Sequence, residues 1–404
     1  MKRKIFSGVI LASLIATPLY AKDLFNLTAT IPGETASVSF NNVSDIVKAV
    51  DNQSLHTLLT LYTPISAASI TIDLRGLPTT VTYAANSTTL VFNVPSLNIN
   101  KQFTGSTRDE SQTLFEDYLK KNGNGIFTKI LQKLAASTAI DPTAGNPNSL
   151  MAKMGSSDFG AGTDFGGGQM GRTQPSKNTL DILTLRFGSY SAGPYTQNVY
   201  TWPINYTYRF DSDSRKQLIF DIPLTYTDTE GGKSYSTSLG IGFRYPVNND
   251  WTLTPMVRIG GAGSVDLGSA AVIYSGSLVS NYNLYWGDTK ISIGNMIAEF
   301  KADSLDIGGY SVGYNLTNTM LKNGIGFAVP LNFKMFGKPT SLELDIVHTD
   351  FFGDALYINR YFDFAMSFGT HGTESALDNF RVGLTYTVGN NSYNGVMFNL
   401  GYTF

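Results

Sequence analysis

The sequence predicts a mainly β protein: a transmembrane, antiparallel up-and-down β-barrel of about twelve strands, with fourteen as the other even count, preceded by a small α+β domain. Four observations carry that expectation. From residue 177 onward, apolar and polar residues alternate with period two through one segment after another. Charged residues make up only 15% of the chain, below the roughly 25% of an ordinary soluble domain. Tyr (22), Phe (25) and Gly (40) are abundant, yet mean hydropathy is −0.05, as expected when lipid-facing and lumen-facing residues alternate. Finally, the stretch Val396–Phe404 places Val396, Phe398, Leu400, Tyr402 and Phe404 on one face of a strand. Met397, Asn399, Gly401 and Thr403 take the other.

Taken in order, the chain opens with Lys2, Arg3 and Lys4, an apolar run from Ile5 to about Ala16, and a small residue at Ala21. The run is too short to span a bilayer. Residues 1–21 therefore form an expected secretory signal peptide, cleaved after Ala21 and read by the Sec export pathway. Residues 22–140 give the small α+β domain. Short alternating runs occur at Ser69–Leu74, Thr79–Tyr83 and Thr88–Val94. Two helices are expected at its end, Asp109–Lys121 and Ile126–Ala136, separated by Gly123 and Gly125. Residues 141–176 carry Pro142, Gly145, Pro147, Gly155 and a glycine-rich run from Gly160 to Gly171 without periodicity. By composition this is a flexible linker.

Residues 177–404 form the expected barrel. Trp202, Ile204, Tyr206 and Tyr208 oppose Asn205, Thr207 and Arg209; Leu239, Ile241, Phe243 and Tyr245 oppose Ser238, Gly240, Gly242 and Arg244. The same alternation recurs through Phe380–Val388. Four prolines (Pro203, Pro223, Pro255 and Pro330) fall inside proposed strands. A closed barrel has no edge on which to hide a missing N–H, so they are expected near strand ends or bulges. Tight turns at Asn248–Asp250, Gly287–Asp288 and Gly337–Pro339 belong to one rim, and a long excursion over Lys301–Thr319 to the other.

Little in the composition points to chemistry. There is no cysteine, hence no disulfide framework and no thiolate metal site. A net charge of −2 gives no basic field for nucleic acid. No metal or other cofactor is implied. The three histidines are His56, His348 and His371. The group His348–Thr349–Asp350, near Asp345 and Asp354, is the sharpest catalytic candidate, since a rim His/Asp group that activates water is the arrangement of omptin-type proteases. It lacks a facing acidic pair, and the expected protein is non-enzymatic. More informative are the inward charges Arg186, Arg209, Arg244, Arg258, Glu343, Asp345, Asp363 and Arg381. They would line a lumen, either filtering solutes, cradling an inserted segment or pairing across the barrel.

With about twelve strands at the carboxyl end, a glycine-rich segment before them and the ending Phe398–Phe404, residues 177–404 resemble the translocator domain of autotransporters. The resemblance implies that Phe398, Leu400, Gly401, Tyr402 and Phe404 form the signal read by the outer-membrane barrel assembly machinery. It also implies a place in the bacterial outer membrane, with the lipid bilayer as partner. Residues 22–140 are short for a β-helical passenger, and no helix is evident just before the first strand. The expectation is thus a solitary autotransporter-like barrel that anchors or displays its N-terminal domain. A narrow porin is the alternative.

Overall fold

The computed structural model describes residues 23–42, 45, 46, 49, 56–165, 178–307, 310–370 and 380–402. Within them the period-two segments form two separate sheets. The first contains β1 (Phe25–Ile31), β2 (Glu34–Phe40), β3 (Ala68–Leu74), β4 (Leu77–Tyr83), β5 (Leu90–Val94) and β6 (Ile99–Phe103), in the order β2-β1-β3-β4-β5-β6. One face buries Phe25, Leu27, Ala29, Ile70, Phe92 and Val94. The opposite face offers Thr, Ser and Asn to solvent, the half-buried pattern that favours antiparallel strands.

Helix α1 (Arg108–Ser137) follows as one continuous helix of 30 residues, where the sequence suggests two. Its start is capped from both sides: the N-cap Thr107 accepts from the Glu110 N–H, and Glu110 reaches one residue beyond the capping-box position to accept from the Ser106 N–H. Gly123 and Gly125 cost about 1 kcal/mol each in a helix interior. Beyond them Ile126, Ile130, Leu131, Leu134 and Ala135 are buried, and the helix packs on a barrel strand, β15 (Tyr310–Met335). That burial outweighs the local penalty. Buried Arg108 ties the helix start to the sheet by donating to the carbonyls of Ser66, Ala84 and Ser87.

The second sheet has thirteen strands among the described residues. A short strand, β7 (Thr179–Asp181), pairs only with β9 (Tyr195–Phe210). The rest run as β8 (Leu185–Ala192), β9, β10 (Asp213–Thr229), β11 (Gly232–Pro246), β12 (Trp251–Ser264), β13 (Ser269–Trp286), β14 (Thr289–Ile307), β15, β16 (Lys338–Gly353), β17 (Arg360–Thr370), β18 (Phe380–Gly389) and β19 (Asn394–Tyr402). Each pairs with the next, and β19 returns to β8 from Asn394↔Ser191 to Leu400↔Leu185, closing a twelve-stranded barrel. Outward side chains such as Tyr206, Leu239, Ile241, Phe243, Leu278, Ile297, Ile346, Phe364 and Leu384 are exposed. Closure satisfies the backbone internally and the outward belt is apolar and aromatic, which together define an integral outer-membrane β-barrel.

The prolines sit where the ladder lapses. Pro203 and Pro223 face each other. Pairing of β10 with β11 breaks after Asp221↔Gly240 and resumes at Leu224↔Thr237, while pairing of β8 with β9 stops at Arg186↔Thr201. The β11–β12 ladder skips Pro255, and Pro330 lies next to a bulge at Leu331/Lys334.

One rim, called lower here, gathers the turn at Asn248–Asp250, the turn at Gly287–Asp288 and the end of β19. The six-stranded domain caps the opposite, upper rim. Leu24 packs against Gly232 at the β10–β11 hairpin, the Tyr357 N–H donates to the Ala135 carbonyl, and Gln132 donates to the Asn315 carbonyl. The expected signal peptide and its cleavage at Ala21 lie outside the described residues, as does Phe404.

Candidate functional site

The candidate site is the barrel lumen, and a helix occupies it. Of the expected linker, residues 141–176, the described part 141–165 is largely buried and carries a helix, and residues 166–176 lie outside the described residues. Thr138, Asp141, Thr143, Asn146 and Ser149 are buried polar residues. Asp141 pairs with Arg75 at 3.3 Å and accepts from the Tyr314 hydroxyl at 2.8 Å and the Thr143 N–H at 3.0 Å. Burial pushes this carboxyl above its ordinary value, while Arg75 and the hydrogen bonds pull it back. Arg75 reaches down from the β3–β4 turn, where it adopts a left-handed φ of 55°. The domain, the connection and the upper end of β15 therefore meet in one buried polar knot.

From this knot helix α2 (Leu150–Gly162) descends through the lumen. Ser149 caps its start by accepting from the Ala152 N–H. Its upper turns lie against β12, where Leu150 and Met154 fill the space over Gly260. Lower down, Phe159 and Thr163 lie over Gly294, and Phe165 over Gly324 and Gly326. A Cβ at Gly260 would stand 2.9 Å from the Met154 sulfur, and one at Gly294 would stand 2.8 Å from Thr163 Cγ2. The fit is reciprocal: Gly155 of the helix lies against Phe300 and Met320, and Gly162 against Val279. Glycines on both partners let backbone and side chains approach closely.

Charges fix the position. Asp158, fully buried, accepts from Arg258 Nε at 2.8 Å and from the Ser277 hydroxyl at 2.8 Å. Arg258 also pairs with Asp221 at 2.7 Å. At the lower end Asp164 takes Arg244 at 3.0 Å, Lys290 at 3.3 Å and the Asn283 amide at 2.8 Å. Arg244 further donates to the carbonyls of Ala161 and Thr163. A guanidinium thus caps the negative end of the helix dipole. Lys322 bonds Thr349 at 2.9 Å and Ser156 at 3.4 Å. Below Phe165 the chain re-emerges at the lower rim, where Asn178 accepts from the Arg209 N–H and β7 joins β9.

The predicted lumen residues divide accordingly. Arg244 and Arg258 hold the helix, and Arg209 donates to Thr179 at its exit. Arg381 pairs with Glu343 at 3.5 Å and donates to Ser341 within the wall. Asp363 accepts from Thr387, and Asp345 lies beside Gly326, next to Phe165. Arg186 faces inward and is exposed. Sequence reasoning missed Asp158, Asp164, Lys290 and Lys322, although two carboxylates six residues apart in an otherwise nearly uncharged glycine-rich stretch were a usable signal. It also missed α2 itself. Of the expected assembly signal, Phe398 and Leu400 face outward, Gly401 faces inward near Thr184, and Tyr402 pairs with Phe380.

Of the catalytic candidate, His348 and Asp350 meet, with Nε2 and Oδ2 3.4 Å apart, on the outer face of the barrel and not in the lumen. His348 lies on the outer face of β16 and stacks on Phe362 with ring centroids 4.4 Å apart. Its neighbour Asp350 pairs with Arg360 at the upper rim, whereas Asp345 points into the lumen. His56 packs edge-on against Tyr62 in the capping domain. His371 lies outside the described residues.

No family model matches the chain, and no curated protein matches it. Among solved structures it is similar to the β domain of the Bordetella autotransporter BrkA, at 15% identity over 57% of this chain and 99% of that one, with a TM-score of 0.44. The translocator domain of the autotransporter NalP from Neisseria meningitidis matches at 13% identity over 63% and 95%, with a TM-score of 0.42. The KdgM porin in complex with disordered oligogalacturonate matches at 8% identity over 55% and 98%, with a TM-score of 0.32. At these values the functional argument rests on the geometry of this chain.

Proposed function

We propose that the protein is an autotransporter-like outer-membrane anchor, non-enzymatic, that holds residues 23–137 on the outer surface of the cell. The observation that carries this reading is the path of the chain. It leaves the capping domain at the upper rim, crosses the lumen as α2, and enters the first barrel strand at the lower rim, beside the end of β19. With the lower rim in the periplasm, the capping domain faces outward and the helix tethers it through its own barrel. The ending Phe398–Phe404 serves, on this reading, as the address for the barrel assembly machinery.

The absence of cysteine allows a direct test. A single thiol at Ser37→Cys, exposed on the capping domain, should react with a membrane-impermeant maleimide on intact cells. A thiol at Asn249→Cys, in a lower turn, should react only after permeabilisation. The opposite pattern would place the domain in the periplasm and overturn the reading.

The porin alternative draws on one observation. Across the lumen from α2, Arg186 is exposed and Asp363, Ser367 and Asn399 are half-buried. Planar-bilayer recording separates the two readings: a tethering barrel stays silent, whereas a porin shows large steady openings.

A further inference from the structure

The outer wall carries a trough that anchoring does not require. Two outward rows run in register across neighbouring strands. Phe187, Tyr200, Tyr226, Tyr235 and Gly263 form one; Trp202, Leu224, Thr237 and Gly261 form the other. Between them lies a concavity of about 620 Å³, with Leu305 at its β14 end. That volume falls within the roughly 300–1,000 Å³ of small-ligand clefts. Five strands at about 4.8 Å spacing make it about 19 Å long, a shape that suits a linear chain.

Two glycines create its open end, and they differ from the lumen glycines. Over Gly260 and Gly294 the atoms of α2 occupy the space. A Cβ at Gly263 would meet no atom within 4 Å, and one at Gly261 only the Ala271 carbonyl at 4.0 Å. Glycine weakens a strand interior and marks a place where something else comes close. Among the described residues, no side chain comes close here. The trough lies among lipid-facing residues, where the surrounding medium is hydrocarbon.

We propose that this trough is a lipid site that takes one linear acyl chain of a bilayer lipid. The aromatic row flanks the chain, and the Gly261–Gly263 segment admits its end. Trp202 is held in place by donation from its indole N–H to the Ile182 carbonyl at 2.8 Å, so it reports on the trough directly.

The test uses the full-length protein in detergent with Trp251→Phe and Trp286→Phe, which leaves Trp202 as the single tryptophan. Phosphatidylethanolamine with brominated acyl chains is the titrant. Saturable quenching at one lipid per barrel is expected. Gly261→Leu with Gly263→Leu should raise the half-saturation concentration at least about tenfold, with unchanged heat-modifiable gel mobility. If the pair of leucines prevents assembly, Gly263→Leu alone carries the same test, because its side chain meets open space. Quenching that rises without saturation, or an unchanged half-saturation in the variant, overturns the proposal. So does a light-scattering mass showing a wild-type dimer that the leucines convert to a monomer, since the trough would then belong to a second copy.

Discussion

The two walls of the lumen are built from the same alternation and do different work. On β10 to β14, inward glycines and cations face α2. On β8 and β17 to β19, inward polar groups pair with one another or face water. Arg258 reaches the helix carboxylate Asp158, while Arg381 is satisfied by Glu343 and Ser341 without touching the helix. Inward charge alone therefore does not identify a helix-gripping residue. What distinguishes the gripping wall is that side chains of α2 and the residues just after it fill the space over its inward glycines Gly260 and Gly294, whereas Phe380 and Arg381 of the barrel itself fill the space over Gly369.

Substitutions on the two walls sharpen this contrast. Arg258→Ala should have the largest effect, because it leaves Asp158 and Asp221 without their shared cation; loss of one partner from a buried pair costs about 3–5 kcal/mol. The expected outcome is an unseated helix, seen as steady conductance in planar bilayers. Arg381→Ala removes a buried charge of the other wall and should lower the melting temperature while the barrel stays silent. Comparable conductance from both variants would erase the distinction between the walls. A smaller effect is expected from Gly294→Ala, whose Cβ would crowd Thr163 and Phe159. Overpacking of this kind costs about 1–3 kcal/mol, and intermittent openings should follow.

The smallest predicted effect lies in the capping domain. Glu34 accepts from the N–H groups of Leu61 and Thr60, and the Leu61 bond in particular holds its carboxyl below the ordinary value. A lowered folded value means that the stabilisation is fully present above the unfolded value of about 4.3. It is lost as pH falls through the folded one. Glu34→Gln should therefore flatten the acid dependence of proteolytic resistance in this domain. An unchanged acid profile would show that the contact contributes nothing.

The barrel was legible because period-two alternation repeats through long strands, and because Arg244 and Arg258 fall in phase with it. Helix α2 was not legible, for physical reasons. Leu150–Gly162 contains Gly155, Gly160 and Gly162, residues that disfavour an isolated helix. Those at 155 and 162 are required by the close approach of Phe300, Met320 and Val279. The helix is stabilised by the walls around it, not by its own propensity. The same override joins the two expected halves of α1, where burial on β15 carries the helix through Gly123 and Gly125. In both cases local composition pointed to a break and tertiary packing removed it.

The most direct test is a disulfide between helix and wall. The Cβ position at Gly162 stands 2.5 Å from Val279 Cβ, so a small relaxation brings a Gly162→Cys and Val279→Cys pair into bonding range, about 3.5–4.5 Å between Cβ atoms. In a chain with no other cysteine, the two thiols should oxidise to one bond in barrels assembled in the outer membrane, recovered as a cross-linked peptide by mass spectrometry. Two freely alkylated thiols in assembled barrels would contradict a lumen filled by α2.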